Sequence, residues 1–273
     1  MTTAQQIYRT LESKRHPYLD RARTCSRLSL PYVMPEEGFG EHSRLETPFS
    51  GVAARGVNNL SSKLLLALFP PNAPFFRLQA DPQKLAEQGA PPEIASEIER
   101  SLQRLEEVVM DQVAQETYRV TIHEALKHLI ITGNALLYMP DEGGMRVFHL
   151  DRFVIERDPM GSVLKIATKE SIAKSALEKD LLDAVGQTAE YDQHSTTCDL
   201  YTAVCREGDY WDIRQDINGV VLPDRGGRVP LDKNPYIPLR FSRVDGENYG
   251  RGYVEEYLGD IQSLESLTRA IVE

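Results

Sequence analysis

The sequence predicts an α+β fold in three segments: a helical part over residues 1–133, a mixed α/β antiparallel part over 134–249, and a final helix over 250–273. Three observations carry this. Apolar residues recur every three or four positions in the first and last segments, the period of an amphipathic helix. The middle segment breaks into short β-branched and aromatic runs separated by turn residues, the pattern of antiparallel strands. A chain of 273 residues, 41% hydrophobic, is long enough for one large core or two smaller ones.

A first helix is expected from Ala4 to about Leu28, on the spacing of Ile7, Leu11, Tyr18, Ala22 and Cys25. Pro17 lacks a backbone N–H, so a kink or break is expected near His16. Pro31 and Pro35 end helical structure, and the polar residues 36–47 form an exposed loop. Thr47 or Ser50 caps a second helix, with Pro48 supporting a start there. It runs from about Gly51 to Phe69, with Val52, Leu60, Leu64, Leu65 and Leu68 inward, until the run Pro70-Pro71-Asn72-Ala73-Pro74 stops it. Residues 91–133 hold two more helices. Ile94, Ile98, Leu102, Leu105, Val108 and Val109 mark one. After a turn near Glu116–Arg119, the other runs from Val120 to Thr132, with Gly133 as its C-terminal cap.

Strands are expected at Ala135–Met139, Met145–Leu150, Phe153–Arg157, Val163–Thr168, Thr197–Arg206, Tyr210–Gln215, Val220–Leu222 and Ile237–Phe241. A helix is expected between them, from about Ser171 to Val185. Asn218-Gly219 is a hairpin signal, since both residues tolerate positive φ. From Tyr253 the pattern is helical again, with Val254, Leu258, Ile261, Leu264, Leu267 and Ile271 on one stripe. Gly259 inside that helix costs about 1 kcal/mol relative to Ala, which close approach of another backbone would offset. The pattern stops at Glu273 without a terminator, so the chain is expected to be part of a longer one.

Charge limits the partners. The formal net charge is −10, whereas tight phosphate neutralisation calls for a basic protein. Residues 1–30 run the other way, with six basic residues against two acidic ones. Arg9, Lys14, Arg15, Arg21 and Arg23 are therefore candidate contacts for an acidic partner, and they equally fit a solvated helix face. The longest apolar run, Leu64–Phe69, has six residues, far short of the roughly 20 that a membrane helix needs.

Chemistry is harder to find. No nucleotide-binding P-loop, nucleophile elbow or H-E-x-x-H zinc motif occurs. Gly38-Phe39-Gly40 and Gly250-Arg251-Gly252 read as turns. His123 and His128 diverge by about 140° around a helix, so they share no ligand face and read as ordinary helix histidines. Cys25, Cys198 and Cys205 are odd in number and unpaired in spacing, which argues against disulfides. Cys198 and Cys205 with His194 lack zinc spacing. No metal, cofactor or catalytic residue is expected. Glu36-Glu37, Glu106-Glu107, Asp141-Glu142 and Glu255-Glu256 read as wet faces. Convergent carboxylates of a nuclease or packaging enzyme remain the alternative. Trp211, within Asp209-Tyr210-Trp211-Asp212, reads as a core or interface residue rather than a base-stacking one.

Five stretches resemble the portal, or head-to-tail connector, proteins of short-tailed, autographivirus-type phages. They are Tyr8-Arg9 with Ser29-Leu30-Pro31-Tyr32 and Pro35; Thr47-Pro48-Phe49 and Ala53 through Leu64 to Phe69-Pro70; Tyr118 through Thr121 with Glu124-Ala125-Leu126-Lys127 and Gly133-Asn134; Arg157-Asp158 with Gly161 and Val163-Leu164; and Tyr236 through Arg240 with Asp245-Gly246-Glu247, Tyr249-Gly250-Arg251 and Glu255 through Asp260. The resemblance implies a non-enzymatic, usually dodecameric ring at one capsid vertex of the virion, assembled in the host cytoplasm. Its implied partners are other copies of the chain, major capsid and scaffolding proteins, a tail adaptor, the terminase motor, and double-stranded DNA passing non-specifically. No membrane is implied. Family members run to about twice this length, so 1–249 corresponds to the wing and 250–273 to the start of a stem helix. The clip, tunnel loop and crown are then missing. Arg251, Tyr253, Glu255, Glu256, Tyr257 and Arg269 are the expected subunit-interface residues. A different, mostly helical head–tail adaptor is a further alternative, which a sizeable sheet over 134–241 would argue against. Sequencing the gene past codon 273 should show an open frame of about the same length again; an immediate stop would contradict the fragment reading.

Overall fold

The computed structural model describes residues 2–273 except 37, 41–42, 72, 82–90, 116, 189–191, 193 and 223–224. Among these, seven α-helices and nine strands follow the expected order. The helices are α1 (Ala4–Arg27), α2 (Val52–Leu68), α3 (Pro92–Gln115), α4 (Tyr118–Thr132), α5 (Lys179–Gly186), α6 (Tyr253–Glu256) and α7 (Leu258–Val272). The strands are β1 (Asn134–Tyr138), β2 (Arg146–Phe148), β3 (Phe153–Arg157), β4 (Val163–Ala173), β5 (Thr197–Glu207), β6 (Tyr210–Ile217), β7 (Val220–Val221), β8 (Gly227–Pro230) and β9 (Tyr236–Arg240).

Two antiparallel sheets result. One has the order β2-β1-β9. The other runs β3-β4-β5-β6, with β7 and β8 both pairing the outer side of β6. Side chains alternate across a strand, and here both faces of the larger sheet are covered. Phe153, Ile155, Ile166, Val204 and Trp211 join Leu136, Phe148 and Tyr236 of the smaller sheet in one core. Val154, Ala167, Tyr201, Ala203 and Cys205 point the other way, onto Ala4, Ile7, Tyr8 and Leu11 of α1. Trp211 is thus a core residue, and its indole N–H donates to the Leu231 carbonyl at 3.1 Å. A sheet of this size argues against a mostly helical adaptor.

Several expectations are corrected. Helix α1 runs unbroken through Pro17. Residues before it (Ile7, Tyr8, Leu11, Arg15) and after it (Leu19, Ala22, Cys25) are all buried, and that packing outweighs the roughly 3 kcal/mol cost of an internal proline. Its N-terminus carries a capping box between Thr3 and Gln6. The buried Asp216 carboxylate also accepts the Gln5 N–H at 3.0 Å. Helix α2 has no side-chain cap from Thr47 or Ser50. Instead Glu265 of α7 accepts the N–H groups of Phe49 and Ser50, both at 2.9 Å. The helix expected from Ser171 is shorter and later, because Ser171, Ile172 and Ala173 continue the β4 ladder opposite Asp199, Cys198 and Thr197. Strand β8 was not expected; its Pro230 sits at the strand end, where a missing donor is tolerated. Asn218 (φ 50) and Gly219 (φ 83) form the expected turn between β6 and β7. Of the residues assigned to turns and loops, Glu37, Glu41, His42, Asn72 and Glu116 lie outside the described ones.

The final segment leaves the body through a backbone crossing. Gly133 ends α4 in the left-handed conformation (φ 77), where a Cβ would lie 2.3 Å from the Arg251 carbonyl carbon. A Cβ on Gly250 would lie 2.6 Å from the Gly133 oxygen, and one on Gly252 2.5 Å from the Ile131 oxygen. Asn134 clamps the crossing: its amide donates to the Gly250 carbonyl at 2.9 Å and its side-chain oxygen accepts the Gly250 N–H at 2.7 Å. By contrast, apart from its own helix, none of the described residues lies within 4 Å of a Cβ on Gly259. Gly252→Ala should therefore destabilise the protein by roughly 3 kcal/mol or more. Gly259→Ala should stabilise it by up to about 1 kcal/mol. Urea denaturation of the two variants measures both.

Candidate functional site

The residues expected at a subunit interface gather around the crossing and along the two helices beyond it. Arg251 forks between Glu247 at 2.6 Å and Glu255 at 2.8 Å. Arg21 of α1 reaches the same Glu255 at 3.6 Å, while its guanidinium stacks 4.6 Å from the Tyr18 ring centre. Arg251, Glu255 and Arg21 are thus tied to one another within the chain. Glu256 is exposed. Tyr253 and Tyr257 are partly exposed, with ring centres 5.1 Å apart.

The helical stripe divides in two. Val254 is buried, and Leu258 and Ile261 pack on a cluster with Cys25, Val57, Ile130 and Ile131. Leu264, Leu267, Ile271 and Val272 of the same stripe stand exposed, Ile271 at 84%. Tyr257 (φ −108, ψ 14) interrupts the helix between α6 and α7, so the expected single helix is two. Arg269 lies over the Phe49 ring at 5.0 Å, with most of its side chain in solvent. Further apolar residues are uncovered on α2 (Val52, Leu66, Leu68) and α3 (Ile94, Leu105, Val108, Val109).

The basic residues of α1 do not act as one surface. Arg15 is 2% exposed, which corrects its assignment as a contact for an outside partner. One of its terminal nitrogens donates to the Tyr8 hydroxyl at 2.9 Å and to the carbonyls of Leu150, Asp151 and Phe153 at 3.1, 2.7 and 2.9 Å. The other lies 3.2 Å from Glu12. Arg15 is therefore a structural clamp between α1 and the turn entering β3. Lys14 pairs with Glu156 at 3.5 Å. Arg9 and Arg23 also have interaction partners.

The sequence candidates for chemistry are dispersed. Cys198 and Cys205 lie in different clusters of the core, and burial pushes both thiols up. Burial also pushes Cys25 up to about 12. Among the described residues, one group of potential metal ligands converges: Glu124, His128 and His149. His123 is apart from it, with its Nε2 3.1 Å from the Ser61 hydroxyl. Burial, with a smaller contribution from His149, holds His128 down at about 3. This grouping was missed because His149 is distant in sequence. The helical pair Glu124 and His128, four apart, was its one local signal. No described helix is long and apolar enough to cross a membrane.

A sequence model of the family described as bacteriophage head to tail connecting protein matches residues 1–273. The chain belongs to that family. Its curated relatives include the portal proteins of Escherichia phage T7 (36% identical, 99% of this chain and 52% of the relative) and Enterobacteria phage T3 (38%, 99% and 51%). The portal protein of Enterobacteria phage SP6 is 31% identical over 97% of this chain and 52% of its own. The chain spans about half the length of the curated relatives it matches. The family is named for connecting the phage head to the tail, and these relatives are named portal proteins.

In this connector chain the Arg251 fork has a pH signature. Its guanidinium holds the Glu247 carboxyl below the usual range, against a smaller opposing effect of burial. A carboxyl lowered on folding stabilises fully above its unfolded pKa and stops doing so as pH falls through the folded one. The Glu247 side chain is 21% exposed, which puts the contribution at roughly 1 kcal/mol. Glu247→Gln should therefore lower stability at neutral pH, and the gap to the parent chain should close in acid, as read from urea midpoints across that range.

Proposed function

We propose that this connector chain forms the wing and the root of the stem of a portal ring at a capsid vertex, serving DNA packaging, head–tail joining and genome ejection. The match to portal proteins across the whole chain carries the proposal. The surface supports it. The chain exposes 16804 Å², whereas a compact monomer of 30.8 kDa exposes on the order of 12,000 Å². The excess includes the apolar faces of α2, α3 and α7, which fit burial against further copies of the chain.

In this reading Arg269, Glu256, Tyr253 and Tyr257 face neighbouring subunits, whereas the Arg251–Glu255–Arg21 network ties α6 to α1 within the subunit. Capsid and scaffolding proteins and the tail adaptor are partners of the ring. Terminase docking falls to the half of the relatives that this chain does not span. The net charge of −10 keeps double-stranded DNA mobile rather than gripped.

Native mass spectrometry of the intact gene product should find closed rings; a product that stays monomeric at every concentration contradicts the proposal. Leu267→Asp with Ile271→Asp should weaken ring formation at least tenfold while leaving the circular dichroism and Tm of the monomer unchanged.

A further inference from the structure

The Glu124, His128 and His149 grouping is unused by the ring reading, and its geometry is unlike that of an ordinary polar cluster. Glu124 and His128 are four residues apart on α4, so they project from one face of the helix. His149 follows β2 directly and precedes the turn Leu150–Arg152. The carbonyls of that turn are those bound by Arg15, so the backbone presenting His149 is held from the opposite side.

The three side chains approach without bonding. The His149 Nε2 is 3.7 Å from a Glu124 carboxylate oxygen, beyond hydrogen-bond reach. The two imidazole centres are 4.4 Å apart with planes tilted by 43°. His128 is 2% exposed, and its Nδ1 has no hydrogen-bond partner. Buried polar atoms are rarely left so. The ligating atoms of the three lie within 4.8 Å of one another. A tetrahedral zinc site, with bonds of about 2.0–2.2 Å, needs them roughly 3.4 Å apart. Glu124, half exposed, has the freedom to close that gap.

We infer that Glu124, His128 and His149 form a binding site for one divalent transition-metal ion of the zinc class. This departs from the expectation of no metal. Two nitrogens and one carboxylate suit zinc, cobalt or nickel and disfavour magnesium and calcium, which take oxygen ligands. A cavity of about 220 Å³ touches all three residues, leaving room for a water as fourth ligand. Lys127 lines the same cavity, with its ammonium 3.3 Å from the Tyr32 hydroxyl. The ion would staple α4 to the turn that Arg15 fixes to α1, a structural role. The inference stands independently of ring formation.

The test uses the full gene product stripped with a chelator and titrated with zinc chloride alone. One equivalent should bind per subunit, and at about a hundredfold excess over Kd the Tm should rise by roughly 5 °C. Cobalt chloride should give the visible absorption of a tetrahedral site. His149→Ala should abolish both signals, and Glu124→Gln should weaken zinc at least tenfold. His123→Ala, outside the grouping, should bind as the parent does. His128 is buried, so the half-exposed His149 and Glu124 carry the test without depending on a core substitution. Absence of zinc binding at micromolar concentrations overturns the inference, as does binding that survives His149→Ala.

Discussion

Everything in the final segment depends on one place where backbone meets backbone. Residues 250–252 cross the C-terminal end of α4 so closely that Gly133, Gly250 and Gly252 have no room for a Cβ. Asn134 satisfies both polar groups of Gly250, as a neighbouring strand would. Just outside, Ser242 and Arg251 exchange main-chain hydrogen bonds at 3.1 and 3.0 Å. The direction of α6 and α7 is thereby set by main-chain contact, which has few alternative arrangements, rather than by side-chain packing, which has many. The apolar contacts of Val254, Leu258 and Ile261 then act on a helix already aimed.

A second constraint is electrostatic and lies inside. Arg15 is charged and only 2% exposed, held by carbonyl oxygens and the Tyr8 hydroxyl, with Glu12 as its ion-pair partner. Fixed dipoles of the β3 entry turn substitute for water. Such an arrangement specifies position more than it adds stability, since desolvating an ion offsets much of its attraction.

Local signals in the sequence led to most of the architecture. The helical period of Ile7 through Cys25, the left-handed residue at Gly133 and the Asn218-Gly219 turn are decided by neighbours along the chain, and the structure agrees with each. The misreadings share the opposite property. The extension of β4 to Ala173 is decided by its pairing with β5, and β8 exists only because β6 offers it an edge. The grouping of His149 with Glu124 and His128 likewise depends on residues far apart in sequence. Arg15 falls on the same helical stripe as Tyr8, Leu11, Leu19 and Ala22, a local signal of burial that its charge obscured, and the Leu150–Phe153 carbonyls show what it binds there.

Hydrogen bonds near the N-terminal helices close late in synthesis. Gln5 of α1 waits for Asp216, 211 residues later, and the Phe49–Ser50 segment before α2 waits for Glu265, more than 200 residues later. At translation rates of about 5–20 residues per second, that interval is on the order of 10–40 s. For that time both segments exist on the ribosome without these acceptors. Helix α1, with a local capping box, can persist meanwhile. Helix α2 has no such cap, and until α7 is made it relies on the packing of Leu64 and Leu65 against α4.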